Sequence, residues 1–240
     1  MRFLFVGDSS TRGDCLAHPE KDAWPALVAK HHGSDFLNAA QSGGSNESIM
    51  YQLVKNIDEF DRIYVVWSGL ARFTRWDPEN YWEVNFTPHL ASAEYKHQYK
   101  YKEFGILHFA YWVNYLQEFK RWLQSIILVQ TLLESRNKEY VMLKSLENNE
   151  ALYTGSWEDF LSMAKEEEYF NILNDAQLKE HYTEIQNLVK QINLKNFIGW
   201  GEPCLGQIAK DFPLGDSGHP LEEGHQFVAK YVIDNEAKIK

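Results

Sequence analysis

The start of the chain has the pattern of a strand that is buried on both faces of a sheet. Residues 3–6 form a short, continuously apolar run that ends at Gly7, as is typical of a central parallel strand. Helical spacing follows over residues 23–32, with Gly33 as its stop, and a second strand is predicted over 35–40. A strand, a helix and a strand in this order predict an α/β fold with a parallel sheet.

Strands and helices continue to alternate after this unit. A loop of small residues, 42–48, leads into a helix predicted over 49–57, which Ser45 or Asn46 could cap. Residues 62–67, Arg-Ile-Tyr-Val-Val-Trp, are predicted to form the third strand. The pattern therefore extends the layered α/β arrangement.

The middle of the chain, about residues 78–195, is less regular. Residues 107–135 have apolar side chains near helical spacing and predict one long helix or two, while 140–146 is a candidate fourth strand. Residues 157–194 alternate acidic and apolar side chains as helices do. Because no repeat or linker-like tract divides the chain, we expect one domain over 1–240 with a helical elaboration at about 78–195.

The last strand and the last helix are predicted near the C-terminal end. Residues 196–200 could form a short strand before the end of the chain. Pro220 lies where the first turn of a helix tolerates proline, ahead of an apolar stripe over 221–232.

Two short motifs at opposite ends of the chain carry the residue types of nucleophilic catalysis. Gly7-Asp8-Ser9 directly follows the first predicted strand, and Asp216 precedes His219 by three residues. A serine hydroxyl is unreactive at neutral pH unless an imidazole accepts its proton and a carboxylate orients that imidazole. The motifs therefore predict that Ser9 is a nucleophile, His219 its general base and Asp216 the orienting carboxylate.

Each of these residues also has a structural interpretation. A serine in this position can cap a helix, and the Asp8 side chain is expected to bind loop amides rather than take part in catalysis. His219 could be an ordinary turn residue, but its spacing from Asp216 and the proline after it favour a bend in which carboxylate and imidazole meet. His225 is expected to be a packed histidine.

Charge and composition exclude several kinds of ligand. The formal net charge is -10, with 24 Lys and Arg against 34 Asp and Glu, so a nucleic-acid surface is not expected. The histidines lack metal-binding spacing, and Cys15 and Cys204 form no zinc motif. The glycine motifs that bind nucleotide phosphates are missing as well, so we expect neither a metal nor a cofactor.

The distribution of apolar residues indicates where in the cell the protein is expected. No run of about 18 or more apolar residues occurs, so no transmembrane segment is expected. The chain begins Met1-Arg2 and continues at once into the predicted first strand, without the apolar segment of a signal peptide. We therefore expect a cytoplasmic protein, and the sequence does not indicate its oligomeric state.

Two further stretches accompany the motifs. Ala-Trp-Pro-Ala-Leu at 23–27 and Asn-Ala-Ala-Gln-Ser-Gly at 38–43 follow the first motif in an order and spacing similar to those of bacterial thioesterases and lysophospholipases. Over about residues 1–70 and 196–235 the chain resembles the SGNH/GDSL hydrolase superfamily. The resemblance implies a three-layer α/β fold with a flavodoxin-like, five-stranded parallel sheet and a site at the carboxyl ends of its strands.

The resemblance also implies roles for individual residues. Ser9 matches the family's nucleophile, His219 its general base and Asp216 the carboxylate that orients the base. Gly43 matches the glycine whose backbone amide, together with that of Ser9, forms the oxyanion hole.

One position departs from the family pattern. After the third strand the family has Gly-x-Asn-Asp, whose Asn donates to the oxyanion, but this chain has Leu70 there. Loss of one such donor commonly lowers turnover about 10²- to 10³-fold, so either the activity is weak or another group substitutes. Arg72 is the first candidate because its guanidinium adds a positive charge, and Asn46 is the weaker one. Alternatively, these side chains bind the substrate.

The residues and the resemblance together predict a serine esterase or acyl hydrolase that forms an acyl-enzyme on Ser9. The expected substrate is a small-molecule or glycan acyl ester, such as an O-acetyl or other acyl ester on a carbohydrate or lipid. Two alternatives stay open. One is an O-acyltransferase of the same fold, and the other is a catalytically silent binding module, which the leucine at position 70 favours.

Overall fold

The computed structural model describes residues 1–77, 82–86, 114–148, 150–166, 173–216 and 218–239. Strands and helices alternate along this part of the chain, which confirms the α/β class. In chain order they are β1 (Arg2–Val6), α1 (Ser9–Arg12), α2 (Pro19–Asp22), α3 (Trp24–His31), β2 (Asp35–Asn38), α4 (Asn46–Asn56), β3 (Arg62–Trp67), β4 (Phe73–Asp77), β5 (Trp82–Phe86), α5 (Tyr115–Ser135), β6 (Glu139–Lys144), α6 (Glu150–Thr154), α7 (Trp157–Glu166), α8 (Asp175–Val189), α9 (Leu205–Ile208) and α10 (Glu222–Glu236).

The main sheet contains four strands within the described residues, in the order β2-β1-β3-β6, and every pair is parallel. With β6 in fourth place, this is the flavodoxin-like order that was expected. All six residues of β3 are buried, as a central strand requires when helices cover both faces of a parallel sheet.

The fifth strand expected at 196–200 is reduced to a single bridge, so the five-stranded count needs correction. Phe197 pairs with Met142 of β6, and the N–H of Ile198 donates to the carbonyl of Met142 at 2.9 Å. A 3-10 helix, Leu194–Asn196, ends directly before this pair, and Gly199 follows it with a φ of +78°. The chain therefore turns away from the sheet after two residues.

The sheet separates two hydrophobic clusters, because neighbouring side chains of a strand point to opposite faces. Phe3 and Phe5 of β1 belong to the cluster that includes residues of α3 and α10. Leu4 and Val6 belong to the cluster that includes residues of α4, α5 and α8. Helices thus cover both faces, which makes the three layers that the resemblance implied.

The middle of the chain contains a pair of strands as well as the expected helices. Helix α5 begins after Asn114, whose side chain accepts from the amide of Gln117 at 3.1 Å, and residues 107–113 of that prediction lie outside the described residues. The long helical pattern at 157–194 is divided into α7 and α8. The antiparallel pair β4 and β5 was not predicted. Within the described residues it forms a two-stranded sheet separate from the main one.

Two helix starts refine the sequence prediction. Ser45 caps α4, because its Oγ accepts from the amide of Ser48 at 3.3 Å. The prediction that Pro220 lies in the first turn of the last helix is wrong: α10 begins at Glu222, and Pro220 instead forms an isolated bridge with Leu214.

Three polar side chains follow neighbouring strands at one edge of the sheet. Asp8 comes after β1, Ser68 after β3 and Ser145 after β6, and all three are fully buried. Parallel strands end on the same side, so these residues lie at the carboxyl edge, where open α/β sheets bind ligands. Among the described helices, none is long and apolar enough to cross a membrane.

Candidate active site

Ser9 is the first residue of α1, in a tight turn directly after β1. The preceding residue, Asp8, caps this helix, and its Oδ1 accepts from the amide of Ser10 at 3.1 Å. Gly7 is required by close packing, since a Cβ there would lie 2.4 Å from Oγ1 of Thr11. Residues 7–13, called the nucleophile turn below because Ser9 is the predicted nucleophile, therefore place the Ser9 hydroxyl at the carboxyl edge of the sheet.

The Asp8 carboxylate is a hydrogen-bonding centre beneath Ser9. Its Oδ2 accepts from Oγ of Ser68 at 2.9 Å, Oγ of Ser145 at 2.6 Å and Nη1 of Arg72 at 3.0 Å. With the Ser10 amide on Oδ1, the carboxylate receives four donors. A fully buried carboxylate needs such partners, because burying an unpaired charge is costly.

Gly43 lies in a loop that packs onto the end of β1. The amide of Gln41 donates to the carbonyl of Gly7 at 3.1 Å, and a Cβ on Gly44 would lie 3.2 Å from that same carbonyl and 3.6 Å from Cα of Asp8. Gly43 itself has a φ of +67°, a conformation that favours glycine. The loop thus brings Gly43 next to the nucleophile turn.

The two candidates for the missing oxyanion donor both contact Ser68. Nη1 of Arg72 donates to Oγ of Ser68 at 3.0 Å as well as to Asp8. Asn46 accepts from the amide of Ser68 at 2.9 Å, and its Nδ2 lies 3.4 Å from the Ser68 carbonyl. Leu70, at the position of the family asparagine, is buried in the hydrophobic cluster beneath α4 and α5.

The segment that carries Asp216 and His219 lies against the nucleophile turn. A Cβ on Gly215 would lie 2.9 Å from Sγ of Cys15, directly after that turn, and Ser10 lines the same small cavity as Pro220. The amide of Gly215 donates to the carbonyl of His219 at 2.8 Å, which closes the segment into a bend.

Within this bend His219 is half-buried and Asp216 is exposed. The structure therefore brings Gly7-Asp8-Ser9 and the segment with Asp216 and His219 close together. The pairing of Ser9 with His219, and of His219 with Asp216, stays a prediction.

His225 differs from His219 in burial and environment. It is 1% exposed on α10, and its Nδ1 accepts from the backbone amide of Trp24 at 3.2 Å. Burial, and to a smaller extent the nearby His219, lower the pKa of His225 to about 4. The imidazole is therefore neutral at pH 7 and holds α10 to the start of α3.

Sequence reasoning missed Ser68 and Ser145. Each directly follows a strand of buried residues, and this position was the available signal. A lone serine carries no recognisable motif, and only the parallel pairing of β1, β3 and β6 brings both hydroxyls to one carboxylate. Among the described residues, no group of three or more His, Cys, Asp and Glu is arranged to hold a metal ion.

Comparisons with known proteins agree with this architecture. No protein-family model and no curated protein matches the chain. A lipase from a goat rumen metagenome has a TM-score of 0.50 at 11% identity, over 98% of this chain and 97% of that one.

Two further solved structures have lower TM-scores. A lipolytic G-D-S-L family protein from Veillonella parvula gives 0.47 at 12% identity, over 98% of this chain and 97% of that one. A Pseudoalteromonas esterase gives 0.48 at 10% identity, over 99% and 97%. At 11% identity, the likeness to the goat-rumen lipase shows a shared α/β fold and nothing finer.

Proposed function

We propose that the protein is a serine esterase or acyl hydrolase that cleaves an acyl ester through an acyl-enzyme on Ser9. The observation that carries the proposal is the convergence of three segments distant in sequence: the nucleophile turn, the Gly43 loop and the bend that holds His219. Their proximity, in a fold similar to that of a lipase, supports a site at the carboxyl edge of the sheet. An activated serine needs this combination of groups.

In the proposed reaction, Nε2 of His219 removes the Ser9 proton while Oγ of Ser9 attacks the ester carbonyl. Asp216 holds the imidazole and stabilises its positive charge. The backbone amides of Ser9 and Gly43 bind the oxyanion. The protonated histidine then protonates the leaving alcohol, and a water molecule, deprotonated by the same histidine, releases the acid and restores Ser9.

A third donor to the oxyanion is proposed to come from Asn46 or Arg72. We expect Arg72→Leu to lower kcat at least about tenfold, because the exchange removes a charged donor near the developing negative charge. The measurement is kcat on a chromogenic acetate ester, with Arg136→Leu as the matched control, since Arg136 is a partly exposed arginine that pairs with Asp58. An unchanged kcat in Arg72→Leu would remove Arg72 from the mechanism.

Covalent labelling with a fluorophosphonate tests the proposal most directly, because the probe reacts with activated serines. We expect stoichiometric labelling, with the modified peptide mapped to Ser9. The Ser9→Ala variant should take up no label, whereas Ser10→Ala should label normally, since the hydrogen bond of Ser10 to Asp8 uses the backbone amide, which alanine keeps. Labelling that is absent from the wild-type protein, or equal in Ser9→Ala, would contradict the proposal.

The substrate class is proposed from the chemistry of the site alone. A small-molecule or glycan acyl ester, such as an O-acetyl or other acyl ester on a carbohydrate or lipid, fits a serine nucleophile with an oxyanion hole. An acyltransferase would use the same acyl-enzyme and pass the acyl group to a sugar hydroxyl. Tracking a labelled acyl group with and without an acceptor sugar distinguishes hydrolysis from transfer.

A further inference from the structure

We propose that the side chains bound to the Asp8 carboxylate position the nucleophile turn for reaction. These side chains are Ser68, Arg72 and Ser145, and together with Asp8 they are called the Asp8 clasp. None of them has to touch the substrate in this role. The inference rests on the serine-esterase function proposed above and assigns to this site the residues that hold its nucleophile in place.

The first argument is the concentration of donors on one buried oxygen. Oδ2 of Asp8 receives both serine hydroxyls and the guanidinium, at 2.6 to 3.0 Å. Hydrogen bonds to a charged group are stronger than neutral ones, and the burial of Asp8 keeps water from competing. The rotamer of the side chain next to Ser9 is therefore tightly restricted.

The second argument is that the donors come from separate strands. Ser68 and Arg72 follow β3, whereas Ser145 follows β6, and Asp8 itself follows β1. The carboxylate thus joins the ends of three neighbouring strands at one point. Since Oδ1 of the same carboxylate binds the Ser10 amide, any displacement of these strand ends is transmitted to the first turn of α1.

The third argument is the fixed position of Ser145. Its amide donates to the carbonyl of Trp67 at 2.8 Å, and its carbonyl accepts from the amide of Gly206 at 3.1 Å. The preceding residue, Lys144, is buried, contacts the carboxylate of Glu150 and donates to the Glu202 carbonyl. The Ser145 hydroxyl is therefore presented to Asp8 from a rigid backbone.

The position of the clasp explains how it can act on catalysis without touching substrate. An error of about 1 Å in the placement of a reacting group can lower turnover about 10²-fold. Ser9 follows Asp8 directly, so its Oγ depends on the backbone that the carboxylate holds. The clasp would also compensate in part for the leucine at position 70, by fixing the Ser9 amide, which is one of the two proposed oxyanion amides.

Ser145 provides the sharpest test, because its buried hydroxyl binds Asp8 and cannot donate to an oxyanion at the same time. We expect Ser145→Ala to lower kcat about tenfold while KM stays within about twofold. Ser68→Ala should have a similar effect and serves as the second variant. The control is Ser125→Ala on α5, which removes a hydroxyl bound to the Arg121 carbonyl and should leave kcat and KM unchanged.

A double-mutant cycle tests whether Ser145 acts through Asp8. In an Asp8→Asn background, Ser145→Ala should cause little further loss of kcat, because the two residues belong to one interaction. Fully additive losses, or a Ser145→Ala enzyme with wild-type kcat, would overturn the inference. A loss confined to KM would do so as well.

Amide hydrogen exchange provides a readout that needs no catalytic activity. In Ser145→Ala, the amides of Ser10, Thr11 and Arg12 should exchange about tenfold faster than in the wild-type protein, whereas those of β3 should not. Unchanged exchange in the nucleophile turn would overturn the inference. If Ser9 fails to take up the fluorophosphonate but exchange rises as expected, the proposed function fails and the clasp stands.

Discussion

Replacement of Ser9 by alanine is expected to lower kcat on an activated ester by about 10⁴-fold or more, with little change in KM. The oxyanion amides and the binding surface remain in this variant, so the residual rate should resemble that of a site without a nucleophile. Ser9 is almost completely buried in a short helix, and the exchange removes only one oxygen atom there, so it should leave the fold intact. Steady-state kinetics with a chromogenic acetate or butyrate ester, together with the thermal midpoint of unfolding, provides the measurement.

The matched variant His219→Ala should lower kcat to a similar degree, since without the imidazole the serine hydroxyl keeps its proton. The double variant Ser9→Ala/His219→Ala should be no worse than either single variant, because residues that act as one unit are not additive. His31→Ala, which changes an exposed histidine at the end of α3, should behave as wild type. Retention of more than about a tenth of kcat in His219→Ala would show that another group is the base.

The order of the fold could be predicted because its signals are local. The apolar run that forms β1, the glycine at the end of α3 and the buried strand β3 each carry their pattern within a few residues. The strand expected at 196–200 could not be judged in the same way. The 3-10 turn before Phe197 and Gly199 after it limit the pairing to one bridge. A short apolar run in the sequence does not reveal this limit.

The residues of the candidate site likewise fall into those that the sequence could predict and those that it could not. Ser9 and His219 belong to motifs whose spacing is visible along the chain. The donors to Asp8 come from single residues after β3 and β6, about 60 and about 140 positions away, and they become neighbours only through parallel pairing of the strands. Arg72 was singled out because it is charged, but its contact with Asp8 follows from where β3 ends and not from its own neighbours in sequence.

The environment of His225 makes the stability of the protein depend on pH. Its imidazole packs at the interface between α10 and the start of α3, where Nδ1 accepts the Trp24 amide. A proton on Nδ1 would break this bond and would place a charge in a buried site. Burial is accordingly the main cause of the lowered pKa, and the nearby His219 adds to it.

Acidification from pH 6.5 to pH 4 is therefore expected to lower the free energy of unfolding by roughly 3 kcal/mol through His225 alone. The unfolded chain takes up a proton at the ordinary pKa of 6.5, whereas the folded protein does so only near pH 4. This contribution is fully present above pH 6.5, declines through the interval as the unfolded state gains protons, and levels off below pH 4.

Chemical denaturation of the wild-type protein and of His225→Asn, above and within this interval, measures the effect as a difference. The asparagine Oδ1 occupies the place of Nδ1 and can still accept the Trp24 amide but does not titrate, so the variant should lose less stability on acidification. Carboxylates that protonate in the same range affect both proteins equally and cancel in the difference. If the two proteins lose the same free energy between neutral pH and pH 4, then His225 is accessible to protons in the folded state and its burial does not control the acid response.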